Sequence, residues 1–61
     1  MRYSELEKIL KQADCYILKE GANHTIWYSP KTGNKFPVGR HRTEEVPTGT
    51  LKSIQKAAGI E

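Results

Sequence analysis

The chain is poor in the residues that mark several large function classes. It has one cysteine, Cys15, so no intrachain disulfide can form and no cluster of thiolates can hold zinc. The two histidines, His24 and His41, stand far apart, and no acidic pair has the spacing of a magnesium site, so no metal or other cofactor is expected. None of the five glycines builds a phosphate-binding loop. Apolar residues make up 36% of the chain and never approach the run of roughly 18 that spans a membrane. Nothing resembles a signal peptide either, and the expected compartment is the cytoplasm. A length of 61 residues leaves room for one domain, expected over 1–61. Such a domain buries only about 60% of the surface of its unfolded form, so any site on it has to be shallow.

Positive charge is present in modest excess. Ten Lys plus Arg against seven Asp plus Glu give +3, which suits a phosphate-bearing partner without demonstrating one.

Hydrophobic periodicity predicts the elements. Ser4 and Glu7 have the capping-box spacing, and Leu6, Ile9, Leu10 and Ala13 follow at i, i+3, i+4 and i+7, predicting a helix that ends near Ala13 or Asp14. Glu7 and Lys11 form an i,i+4 pair on its wet side. Cys15 to Glu20 is strand-like, with Tyr16 and Leu18 on one face and Cys15 and Ile17 on the other. Gly21-Ala22-Asn23 is a short turn in which Gly and Asn suit positive φ. His24 to Ser29 is a second strand, with His24, Ile26 and Tyr28 on one face and Thr25, Trp27 and Ser29 on the other. Pro30 to Asn34 is a second turn, and Lys35 to about Val38 a third strand whose Pro37 suits a sheet edge. Gly39 to Thr43 reads as a basic loop. A last helix starts at Pro47 or Thr48, buries Leu51, Ile54 and Ala58, and is capped by Gly59. The fold class is α+β: α-β-β-β-α, a three-stranded antiparallel sheet with two helices on one face, as in double-stranded-RNA-binding domains.

Few side chains in this pattern carry chemistry. An imidazole can take the proton of a ribose 2′-hydroxyl or return one to a leaving 5′-oxygen near neutral pH, and His24 opens a strand beside a turn. The alternative is a histidine that caps the strand or hydrogen-bonds the Gly21 turn. His41 lies between Arg40 and Arg42, which could hold a phosphate and stabilise transition-state charge or could simply form a solvated basic loop. Lys35 adds to this basic segment. Lys52 and Lys56 form a like-charged pair, best read as an exposed helix face. Trp27 and Tyr28 could stack bases, and one of the two is expected in the core.

Taken together, the segments resemble the HicA family of toxins. The resemblance rests on five segments: the first helix with Ser4, Glu5 and Leu6; Gly-x-Asn-His at 21–24; Ser-Pro-Lys-Thr-Gly at 29–33; Arg-His-Arg at 40–42; and Pro-x-Gly-Thr-Leu-x-Ser-Ile-x-Lys-x-Ala-Gly at 47–59. It implies a metal-independent endoribonuclease that cuts mRNA, a partner in the form of a HicB-like antitoxin, and a double-stranded-RNA-binding-domain-like fold. His24 matches the family's catalytic histidine, and Gly21 the turn glycine that lets the backbone approach RNA. Gly21, Asn23, Lys35, Arg40, His41 and Arg42 form the expected RNA-binding set. Gly39 replaces a common proline, and Ala22-Asn23 departs from the Gly-Ser-His-His form seen elsewhere. A non-catalytic RNA-binding module of the same fold is the alternative function, and a purely protein-binding subunit a third.

Overall fold

A computed structural model describes residues 1–60, and Glu61, the end of the expected domain, lies outside them. The elements run α1 (Tyr3–Gln12), β1 (Tyr16–Glu20), β2 (His24–Ser29), β3 (Asn34–Gly39) and α2 (Thr48–Ala58). The strands form an antiparallel sheet in the order β1-β2-β3, so the proline-bearing strand is an edge, as its missing N–H requires. Leu6 and Leu10 of α1, Ile54 and Ala58 of α2, and Trp27, Phe36 and Val38 of the sheet share one buried cluster. Both helices therefore lie on one sheet face, and the other face is open. This is the α+β order expected, consistent with the double-stranded-RNA-binding-domain-like description.

The start of α1 differs from the expected Ser4–Glu7 box. The cap lies two residues earlier, at Arg2, where Glu5 Oε1 accepts the Arg2 backbone N–H at 3.1 Å. The free amides of the first turn find carbonyls elsewhere: Tyr3 donates to Glu44 and Ser4 to Arg42, each at 3.1 Å. Helix starts leave such donors orphaned, and here the 40–45 loop satisfies them. Tyr3, outside the expected stripe, is consequently buried, whereas Ile9 and Ala13 of that stripe are only half-buried. Next to this contact the N-terminal ammonium pairs with Glu45 at 3.0 Å. That hydrogen bond, more than any other influence, holds the Glu45 carboxyl below the usual carboxylate range.

The second turn is a cap for α2. Gly59 takes φ 73°, Ile60 N–H donates to Gln55 at 3.0 Å and Gly59 N–H to Lys56 at 3.3 Å, which together make a Schellman ending. Ser29 Oγ donates to the Ala58 carbonyl at 2.8 Å, while Thr32 Oγ1 and Asn34 Nδ2 donate to that of Ala57 at 2.5 and 3.3 Å. The Ser-Pro-Lys-Thr-Gly segment thus satisfies carbonyls that a helix end leaves free. Ser29 is fully buried. Ser29→Ala is expected to lower stability by about 1–3 kcal/mol, since it strands a buried carbonyl, and the urea midpoint of unfolding measures the loss.

One register irregularity reshapes β1. Tyr16 pairs with Tyr28 and Ile17 with Trp27, but Lys19 pairs with Ile26 and Glu20 with Thr25, so Leu18 is an inserted residue. A bulge of this kind reverses the alternation beyond it. Lys19 therefore joins the open face with Tyr16, and Glu20 turns to the helix side.

Candidate active site

The pleat of β2 decides what each face offers. Thr25, Trp27 and Ser29 are buried under the helices, while His24 is exposed and Ile26 and Tyr28 half-buried on the opposite face. His24 is thus presented at the corner of the open face where the β1–β2 turn meets the end of β3, opposite Gly39.

That corner is tied together from both sides. Gly21 N–H donates to the His24 carbonyl at 2.8 Å, closing the turn. A Cβ on Gly21 would stand 2.8 Å from the same oxygen, so glycine is required here by close approach. The expectation of positive φ in this turn is corrected: Gly33, Gly59 and Asp14 adopt it, and neither Gly21 nor Asn23 does. Arg40 Nη1 donates to the Gly21 carbonyl and Nη2 lies 3.6 Å from Glu20. The guanidinium therefore clasps the turn that carries His24. Gly39 leaves room for the neighbouring ring of Tyr3, where a Cβ would sit 3.0 Å from it.

The basic loop does not gather around the imidazole. Arg42 Nε lies 3.6 Å from Glu7, so this carboxylate faces the loop, and the expected Glu7–Lys11 ion pair does not form among the described residues. Glu7, Glu20, Arg40 and Arg42 rim a cleft on the helix side floored by Thr25 and Trp27. Its volume of about 160 Å³ is under the ~300–1,000 Å³ of typical small-molecule sites. His41 is exposed between the two arginines, and Asn23 is exposed beside His24. Lys35 shares the face of His24 but pairs with Tyr28, four residues along the strand and hence about 13 Å away. The cation brought nearer by the register is Lys19, opposite Ile26. Sequence reasoning missed it because strict alternation puts Lys19 on the wrong face, and no residue type in Ile17-Leu18-Lys19 signals the bulge. Among the described residues no group of three or more His, Cys, Asp or Glu side chains could hold a metal. No helix among them is long and apolar enough to cross a membrane.

The fold and this corner define a small α+β domain that offers one histidine on an open sheet face. The family model described as the HicA toxin of bacterial toxin-antitoxin matches residues 3–60, and the chain belongs to that family. Its role is that of the toxin, and a toxin-antitoxin system implies an antitoxin partner. No curated protein and no solved structure matches the chain at a significant level.

Proposed function

We propose that this toxin is a metal-independent endoribonuclease that cuts mRNA with His24 as its acid/base group. The observation that carries the reading is the exposed His24 on a turn fixed by Gly21 and Arg40. RNA supplies its own nucleophile. His24 takes the proton of a ribose 2′-hydroxyl as that oxygen bonds to phosphorus, the bond to the 5′-oxygen breaks, and the leaving oxygen takes a proton from solvent or a second acid. The products are a 2′,3′-cyclic phosphate and a 5′-hydroxyl. Lys19 is the nearest cation of the face for the charge gathered on phosphate. Arg40 acts through the Gly21 turn, and His41, Arg42 and Lys35 meet more distant phosphates.

The partner is a HicB-like antitoxin that blocks cleavage by covering the open face around His24, the simplest way to silence so shallow a site.

Incubating the protein with a long single-stranded RNA in EDTA, beside His24→Ala and His41→Ala, tests the reading. Cleavage by the wild type that His24→Ala lacks is expected. Binding with no cleavage by folded wild type would favour a non-catalytic RNA-binding module. Gly21→Ala is expected to cost on the order of 10²-fold in cleavage at unchanged helix content, because shifts of about 1 Å at a catalytic group carry penalties of that size. Initial rates alongside circular dichroism measure both.

A further inference from the structure

The open face is built in rows across the three strands. The row farthest from His24 holds Tyr16, Tyr28 and Lys35, and the next holds Lys19, Ile26 and Pro37. His24 stands in the third, and successive rows are about 7 Å apart. Tyr16 and Tyr28 contact each other with ring centroids 5.4 Å apart at an interplanar angle of 52°. Tyr16 is 49% exposed, more than burial in a monomer's core would leave an aromatic ring.

Charge selects the occupant. The one acidic residue of the strands is Glu20, and the bulge at Leu18 sends it to the helix side, where it meets Arg40. The open face is left with Lys19 on one edge strand, Lys35 on the other, and, among the described residues, no strand carboxylate between them. Aromatic and apolar surfaces between two flanking cations fit a strand of unpaired bases whose phosphates lie along the edges.

We propose that Tyr16 and Tyr28 form a base-stacking subsite for single-stranded RNA, two rows from His24, with Lys19 and Lys35 holding the phosphates on either side. The subsite deepens the ribonuclease reading, since it places a length of substrate across the same face as the imidazole. It gives the enzyme a reason to prefer long unpaired RNA over a dinucleotide. A dinucleotide reaching His24 ends before the tyrosine row.

Two measurements separate this subsite from the chemistry. In the His24→Ala protein, fluorescence anisotropy of a labelled unpaired RNA of about ten nucleotides is expected to show about tenfold weaker binding for Tyr16→Ala and for Tyr28→Ala, and little change for either Tyr→Phe. Lys19→Gln and Lys35→Gln are each expected to reduce the slope of log affinity against log salt by about 0.7, the value for one phosphate contact on a single strand. With His24 intact, Tyr28→Ala should lower cleavage of the long RNA and leave cleavage of a dinucleotide untouched. Damage to the fold would lower both. Unchanged RNA affinity in the alanine variants overturns the subsite and leaves the face to a protein partner. Wild type that binds as described but cuts neither substrate overturns the ribonuclease reading and leaves the subsite standing.

Discussion

Replacing His24 by alanine is expected to reduce RNA cleavage by roughly 10²–10⁴-fold, the usual contribution of a positioned acid/base group. The loss should fall on kcat and leave KM near its wild-type value, because the imidazole acts on the proton in flight and adds little to ground-state binding. The fold should survive. His24 is exposed at the start of β2, and what joins it to the turn is its backbone carbonyl, which any residue supplies. Single-turnover kinetics beside thermal unfolding of the same sample separate the two effects. A variant that unfolds would assign His24 a structural role, and a folded variant cutting at the wild-type rate would remove it from the chemistry.

Trp27→Ala is expected to remove most of the stability of the domain. Trp27 is the largest fully buried side chain, on the strand that pairs with both others and in one buried cluster with residues of both helices. Truncating a buried tryptophan costs about 3–5 kcal/mol, and a domain of this size has only roughly 3–9 kcal/mol to lose. Urea titration followed by circular dichroism should show the Trp27→Ala transition at far lower urea than the wild type, or none, and the Trp27→Phe transition between the two. A cooperative Trp27→Ala transition near the wild-type midpoint would contradict the packing described here.

The elements were legible where the pattern was local. The β2 alternation follows from His24 to Ser29 as they stand in sequence, and it set Thr25, Trp27 and Ser29 apart from His24, Ile26 and Tyr28. Packing under the helices then decides which set, and so which of Trp27 and Tyr28, is the core one. Pro37 marked an edge strand for the physical reason that makes it one, and Gly59 marked the end of α2. What was not legible depends on partners distant in sequence. Ser4 has the local signature of a cap, yet its amide is taken by the Arg42 carbonyl, and the helix starts at Tyr3. Arg40-His41-Arg42 reads as one basic cluster until the fold sets Glu20 and Glu7 against its arginines. Lys35 is close to that loop in sequence and about 13 Å from His24 across the pleat. The Leu18 bulge, invisible in residue identity, exchanges the faces of Lys19 and Glu20 and so decides the charge of the open surface.

The claim that RNA supplies the nucleophile and His24 moves its proton is tested most directly by the wild-type protein in EDTA, given an RNA and a DNA of the same sequence. The account predicts that the RNA is cut to fragments ending in 2′,3′-cyclic phosphate and 5′-hydroxyl while the DNA, lacking the 2′-oxygen, stays whole. Cleavage of the DNA at a comparable rate, or RNA fragments ending only in linear 3′-hydroxyl groups, would contradict it.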